Sequence, residues 1–159
     1  KGVGMAHKSE HNAVRLGIAE EDVAEVAKEI GTEQILVEEM VVDGLCELII
    51  GVTRDPAHGY VLTLGTGGIL TELLQDAESL LIPSSREEVL AELQTLKSAP
   101  LLNGYRGKPA VDLAAVVDAV MSVQSYVLDN TDTIDEVEIN PLICTADRAV
   151  AVDALIRKA

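Results

Sequence analysis

The last part of the chain carries side chains with the oxygen atoms that bind hard metal ions. Glu138 and Asn140 lie two residues apart in an apolar run, and on a strand such side chains point to the same face. The run 149–153 is predicted to return alongside and to bring Asp153 near Asn140. One amide and one or two carboxylates suit magnesium, which completes its octahedron with water and nucleotide phosphate. A solvated strand face without a ligand is the alternative interpretation.

A second candidate segment, Glu38-Glu39-Met40-Val41, ends an apolar run and leads into Asp43-Gly44. Such a hinge offers backbone N–H and C=O groups to a flat polar ring, and an acidic side chain there reaches a ribose hydroxyl. The competing interpretation is an ordinary strand that ends in acids at the surface.

Two further segments have the residue types that bind phosphate. Arg54 lies at the mouth of a predicted hairpin, and its guanidinium donates several hydrogen bonds at once, although a local pairing with Asp55 is the alternative. The bend 65–68, which includes Gly67 and Gly68, can present backbone amides to an anion. It lacks the Lys-Ser/Thr ending of a P-loop, so a tight turn is the alternative.

The segment around His7 combines an imidazole with Lys8, Ser9 and Glu10. A neutral imidazole nitrogen is a competent nucleophile toward a phosphoryl group, and histidine titrates near working pH. A surface histidine with no role is the alternative interpretation.

The order of predicted elements indicates an α+β fold rather than a doubly wound sheet. Helices are predicted over 19–30 by the three-four spacing, after Ser85 by a capping box with Glu88, and after Asp112 by a cap. The predicted strands cover 13–18, 34–42, 45–53, 60–64 and 78–82, followed by the final hairpin.

Composition narrows the functional class. The 159 residues carry a formal net charge of −15 with no basic stripe, which disfavours nucleic-acid binding. No run is long enough to span a membrane. Cys46 and Cys144 lie in apolar strand-like runs and are predicted to be free thiols in a reducing, cytoplasmic compartment. The chain begins without Met, and we interpret it as a piece of a larger protein.

Several short sequence motifs occur along the chain in the same order as in one protein family. The chain resembles the ATP-grasp domain of the ADP-forming (NDP-forming) acyl-CoA synthetases, which is related to the β subunit of succinyl-CoA synthetase. The motifs are His7-Lys8-Ser9-Glu10, Val37-Glu38-Glu39-Met40-Val41, Glu47-Leu48-Ile49-Ile50-Gly51-Val52-Thr53-Arg54-Asp55-Pro56, Leu64-Gly65-Thr66-Gly67-Gly68-Ile69, Pro100-Leu101-Leu102-Asn103-Gly104-Tyr105-Arg106-Gly107, Glu138-Ile139-Asn140-Pro141-Leu142 and Ala151-Val152-Asp153-Ala154.

The resemblance implies two α+β lobes with mixed or antiparallel sheets and helices. Residues 1–42 would be the C-terminal portion of a first lobe truncated at its N-terminus, and residues 43–159 the second lobe. It also implies a reaction in which acid, CoA and ATP give acyl-CoA, ADP and phosphate through a phosphohistidine. The implied partners are ATP/ADP and the CoA-binding and CoA-ligase domains, or the α subunit, of the same enzyme.

The resemblance also implies a role for each candidate residue. Lys1 falls at the position of a strand-end lysine and, with Arg54, would neutralise phosphate charge, and His7 would accept or hand on the phosphoryl group. The nucleoside would contact Glu38, Glu39, Met40 and Val41, and a ribose or other polar group would contact Glu47. The phosphates would lie against Gly67 and Gly68. Mg²⁺ would be held by Glu138, Asn140 and Asp153.

Two departures and two alternatives accompany the resemblance. Asn12-Ala13 replaces a glycine pair that is common in the family, and His58 replaces an aromatic residue in the first hairpin turn. A non-catalytic regulatory module of a protein acetyltransferase is one alternative function. The other alternative is an unrelated ATP-grasp ligase that makes an acyl phosphate, and in that case the motif around His7 would have no role.

Overall fold

The computed structural model of the chain describes residues 1–3, 12–68 and 74–159. It separates into two compact units, Lys1–Val42 and Asp43–Ala159. This division falls at the boundary expected from the sequence, while the assignment of the units to ATP-grasp lobes stays a prediction. Within the described residues, no helix is long and apolar enough to cross a membrane.

The first unit contains a short 3-10 helix, Glu20–Asp22, that continues into helix α1, Val23–Ile30. Gly31 ends the helix in the left-handed conformation with φ +71°, and its amide donates to the Ala27 carbonyl. A glycine without a Cβ adopts this conformation at low cost, so the stop predicted at Gly31 is confirmed.

The strands predicted over 13–18 and 34–42 are wrong. In the described part of the first unit the pairing reduces to one isolated bridge, between Gly2 and Ile35. The Val3 amide donates to the Gln34 carbonyl at 3.0 Å, and in residues 1–3 and 12–42 no strand extends from these contacts. A strand requires a hydrogen-bonded neighbour along its length, and an apolar run alone does not supply one. Val42, at the end of the predicted run, is accordingly 84% exposed.

The second unit is built on a six-stranded antiparallel sheet in the order β3-β2-β1-β4-β5, with β6 also paired to β4. The predicted hairpin is confirmed as β1 and β2, joined by a turn in which Asp55 Oδ1 accepts from the Ala57 and His58 amides at 2.8 Å. The strands are β1 Cys46–Asp55, β2 Gly59–Thr66, β3 Ala77–Leu81, β4 Ile134–Cys144, β5 Ala149–Ala151 and β6 Ala154–Lys158.

Helices cover the face of the sheet that carries Leu48, Ile50 and Val52. They are α2 Arg86–Thr95, α3 Ala99–Leu102 and α4 Leu113–Asp129. The capping box at Ser85 and the cap at Asp112 are both confirmed. On α4, Val116, Val117, Val120 and Val127 are buried and Leu113 is partly buried. On α2, Val89 and Leu93 are buried, whereas Leu90 is 40% exposed.

The final hairpin differs from the prediction in one respect. Strand β4 pairs with β5 through residues 142–144 and with β6 through residues 134–139, so two short strands share one edge. Asp153 was expected to close a single return strand, and it lies instead in the break between β5 and β6. The signal for β6 was missed because all five of its residues are exposed, so it lacks the alternating pattern of a half-buried strand. The predicted α+β class is confirmed.

Candidate functional site

Asn140 and Asp153 are neighbours in the second unit. The Asn140 amide donates to the Asp153 carbonyl at 3.2 Å, and the Val152 amide donates to the Pro141 carbonyl at 3.2 Å. The Asp153 carboxylate accepts from the Ala154 amide at 3.1 Å. The terminal strands therefore bring the backbones of Asn140 and Asp153 into direct contact, between β5 and β6.

A bulge in β4 sets the position of Asn140. Between the pairs Leu48–Leu142 and Ile50–Ile139, strand β4 has one more residue than β1, and the extra length falls at Asn140 and Pro141. An extra residue bends a strand and re-aims its side chains. The Asn140 side-chain carbonyl accepts a hydrogen bond from the Gly68 amide at 2.9 Å. The bulge therefore turns the Asn140 amide group toward the end of β2.

The backbone after β2 lies against the start of β1. The Gly67 amide donates to the Glu47 carbonyl at 2.9 Å, and a Cβ on Gly67 would lie 2.5 Å from the Leu48 carbonyl oxygen. Gly68 has φ +68°, and a Cβ there would overlap the Glu47 carboxylate. Position 67 needs glycine because the Leu48 backbone leaves no room for a side chain, and position 68 favours glycine because of its left-handed backbone. This close approach puts the Glu47 carboxylate beside the Gly68–Asn140 contact.

Glu138 lies further along β4, paired with Gly51 on one side and Leu155 on the other. Its neighbours Val137 and Ile139 pair with the buried Val52 and Ile50, so the Glu138 side chain occupies the opposite face of the sheet. Because Gly51 has no side chain, the residue paired with Glu138 on β1 leaves space beside it on that face.

Arg54 lies at the other end of β1, where it pairs with Tyr60 next to the hairpin turn. It is seven residues from Glu47, which corresponds to about 23 Å along an extended strand. Within the second unit, the fold thus groups Glu47, Gly67, Gly68 and Asn140 and leaves Arg54 apart from them. Its predicted catalytic role receives no support from this placement.

The first unit carries the other candidates. Lys1 Nζ forms an ion pair with Glu38 Oε2 at 2.7 Å, and the lysine side chain is 17% exposed. Glu39 and Met40 are exposed, and Val41 is half-buried. This pairing ties the first residue of the chain to the predicted nucleoside-binding hinge. His7 lies outside the described residues.

Asp76 is a residue that the sequence reasoning missed. Its buried carboxylate accepts from Thr66 Oγ1 at 2.9 Å and from the Lys97 and Ser98 amides at 2.7 and 2.9 Å, and its own carbonyl accepts from the Thr66 amide. Burial raises the pKa of Asp76, but hydrogen bonds from Ser98, Lys97 and Thr66 together outweigh it, so the pKa lies below its ordinary value. Because Thr66 precedes Gly67, this carboxylate anchors the segment that approaches Asn140.

The oxygen set of the second unit fits a hard cation. It comprises the Asn140 carbonyl and the carboxylates of Glu138 and Asp153, which are ligands of the type that Mg²⁺ prefers. No group of three or more His, Cys, Asp or Glu side chains in the described ranges forms a metal cage by itself. The set therefore suits an ion that takes its remaining ligands from water and a polyphosphate rather than from protein alone.

Comparison with known proteins identifies the domain type. A model of the ATP-grasp domain matches residues 3–157. The β subunit of ADP-forming acetate–CoA ligase II from Pyrococcus furiosus is 33% identical over 166 residues, covering 96% of this chain and 70% of that protein. ADP-forming acetate–CoA ligase I from Archaeoglobus fulgidus is 32% identical, covering 87% of this chain and 22% of that protein.

Solved structures give the same result. Acetyl-coenzyme A synthetase 1 of Ca. Korarchaeum cryptofilum, in complex with coenzyme A and Mg-AMPPCP, superposes with a TM-score of 0.86 at 34% identity, covering 97% of this chain and 71% of that chain. A second complex of that enzyme, with coenzyme A and Ca-AMPCP, gives a TM-score of 0.90 at 32% identity, covering 98% and 72%. The family predicted from the sequence motifs is confirmed: the chain belongs to the ATP-grasp domain family.

Proposed function

We propose that this chain is the nucleotide-binding part of an ADP-forming acid–CoA ligase, which converts an acid, CoA and ATP to acyl-CoA, ADP and phosphate. The observation that carries the proposal is the junction where the Gly68 amide donates to the Asn140 side chain and the Asn140 backbone contacts the Asp153 backbone. It is supported by relatives that are ADP-forming acetate–CoA ligases and by the nucleotide complexes of a neighbour at 34% identity.

The oxygen donors would hold Mg²⁺ together with the nucleotide phosphates. Asn140 Oδ1 already accepts from the Gly68 amide, and a carbonyl oxygen has a second lone pair for a metal. Asp153 and Glu138 would supply carboxylate oxygens. When bound, the ion neutralises phosphate charge that these carboxylates would otherwise repel.

The remaining contacts follow the motif positions. The amides of Gly67 and Gly68 already donate to Glu47 and Asn140, so these glycines would shape the bend beside the phosphates rather than donate to them. The neighbouring Glu47 would contact a ribose hydroxyl or another polar group. In the first unit, Glu38, Glu39, Met40 and Val41 hold the nucleoside, and Lys1 neutralises phosphate charge. The two units are the C-terminal portion of a first ATP-grasp lobe and a second lobe.

His7 is the proposed phosphoryl carrier of this chain. Its ring nitrogen would accept the phosphoryl group and pass it on within the reaction. A structural neighbour is described with a phosphohistidine segment that points toward its nucleotide-binding site. The acyl and CoA chemistry belongs to CoA-binding and CoA-ligase domains or an α subunit, in a cytoplasmic enzyme.

Calorimetric titration of the purified protein with Mg·AMPPCP tests the metal assignment. Asp153→Asn removes one carboxylate ligand while it keeps the side-chain shape, and we expect the affinity to fall at least about tenfold. Asp132→Asn is the matched control, since it removes the same charge from an exposed position before β4. Equal affinity in Asp153→Asn and the control would contradict the assignment. The isolated chain is expected to be inactive, so the regulatory module would instead be favoured by a full-length protein that binds the nucleotide and forms no ATP from acyl-CoA.

A further inference from the structure

Two cysteines are paired on adjacent strands of the second unit, at the ends of those strands. Cys46 is the first residue of β1 and Cys144 is the last residue of β4, and the antiparallel register pairs them directly. Directly paired residues in antiparallel strands have Cα atoms about 4.5–5.5 Å apart. Disulfides span about 4.4–6.8 Å between Cα atoms, so this register brings the two cysteines within the Cα range of a cross-strand disulfide.

The two thiols differ in exposure. Cys144 is buried, and its thiol donates to the Leu142 carbonyl at 3.7 Å. Cys46 is half-buried and lines a cavity of about 320 Å³ with Thr66, Ser98 and Leu101. Cys46 is therefore the thiol that a small molecule reaches first, and Cys144 is the thiol that follows.

We propose that Cys46 and Cys144 form an oxidant-sensitive dithiol that a small-molecule disulfide converts to an intrachain disulfide. The Cys46 thiolate attacks one sulfur of the small disulfide, which leaves a mixed disulfide and releases one small thiolate. Cys144 then gives its proton to that thiolate and attacks Cys46 Sγ, which releases the second small thiolate, and this thiolate takes up the proton that Cys46 had lost to solvent. Two protein thiols are oxidised, one small disulfide is reduced to two thiols, and the proposed nucleotide chemistry takes no part.

The new bond would join segments that border the candidate site. Cys46 precedes Glu47, whose carbonyl accepts from the Gly67 amide, and Cys144 precedes Thr145, whose carbonyl accepts from the Asp112 amide at the start of α4. A bond between Cys46 and Cys144 would fix the strand ends beside both contacts. The closed loop is long, and such a cross-link constrains the unfolded chain strongly.

The test is incubation of the native, reduced protein with oxidised glutathione, followed by non-reducing digestion with trypsin and mass spectrometry. The expected product joins the tryptic peptides 29–54 and 107–148, which contain Cys46 and Cys144. Cys144→Ser should stop at a glutathione adduct on Cys46, and Cys46→Ser should stay unmodified under the same conditions. The midpoint of thermal unfolding of the oxidised wild-type protein should rise by roughly 5–15 °C.

The wild-type digest decides the proposal even if a serine variant does not fold. A native protein that accumulates the glutathione adduct without the joined peptides would overturn it, because the buried thiol would then be out of reach. A protein that reacts after denaturation and not before would also overturn it, as would faster modification of Cys144 than of Cys46.

Discussion

At residue 68 the chain has φ +68°, and the space where a Cβ would stand is filled by the Glu47 carboxylate. We predict that Gly68→Ala lowers the affinity for Mg·AMPPCP at least about tenfold, because Glu47 must move and the Gly68–Asn140 hydrogen bond must distort. The added methyl group also disfavours the left-handed conformation at residue 68, which lowers the free energy of unfolding by about 1–2 kcal/mol. Titration calorimetry and urea unfolding of the same variant measure both effects.

Gly59→Ala separates the two causes. Gly59 has φ +83° in the β1–β2 turn, and a Cβ there meets nothing within 4 Å. It should show the same conformational cost with unchanged nucleotide affinity. An equal loss of affinity in both variants would mean that general destabilisation, and not the contact with Glu47, governs binding.

The sequence indicated individual site residues where local signals were present. The two-residue spacing of Glu138 and Asn140 and the following apolar run predicted that Asn140 and Asp153 would be neighbours. No local sequence signal indicated a role for Asp76, because the partners of Asp76, Lys97 and Ser98, are more than twenty residues away along the chain. A buried aspartate with distant partners has the same sequence signature as a surface aspartate.

Asp76 connects the end of β2 with the start of α3. Its pKa is below the ordinary 3.8, so its contribution to stability is present above about pH 4 and is lost as pH falls through the folded-state pKa. We predict that Asp76→Asn lowers the free energy of unfolding at pH 7 by about 1–3 kcal/mol, since an amide cannot accept all the donors that face it. Urea unfolding at neutral and acidic pH measures this change.

The pH dependence is the diagnostic part of that experiment. In Asp76→Asn the decline in stability below about pH 4 should be shallower than in the wild-type protein. Asp132→Asn, at an exposed position, provides the comparison. If both variants follow the wild-type acid profile, the hydrogen bonds to Asp76 are not what couples this carboxylate to folding.

Secondary-structure elements whose ends carry capping or turn residues were predicted correctly from the sequence. Ser85, Asp112 and Gly31 each mark a helix boundary through a short-range contact, and the turn at Asp55 closes the first hairpin in the same way. The strands predicted in the first unit and the missed β6 depend on which segments become neighbours. Pairing between distant segments is decided by the whole fold, so local apolar patterns could not settle it.

The molecule as a whole carries a formal net charge of −15, and its proposed ligand is also an anion. Two explanations of a magnesium requirement are therefore possible: screening of the whole surface, or a local ion held at Asn140 and Asp153. At physiological ionic strength exposed charges are screened beyond about 8 Å. Distant carboxylates should consequently have little influence on the nucleotide, and the local carboxylates should have most of it.

We predict that removing divalent ions with EDTA at physiological salt lowers the affinity for ATP at least about tenfold. Neutralising two remote acids together, Glu87→Gln on α2 and Asp132→Asn, should leave the affinity for Mg·ATP and the loss with EDTA both within about twofold of wild type. If that double variant bound ATP tightly in EDTA, the total charge would account for the magnesium requirement. The loss of ATP affinity with EDTA should persist in the double variant and become smaller in Asp153→Asn. That result would locate the effect at the oxygen donors near Gly68, because the phosphates are close enough to be repelled by carboxylates only at that site.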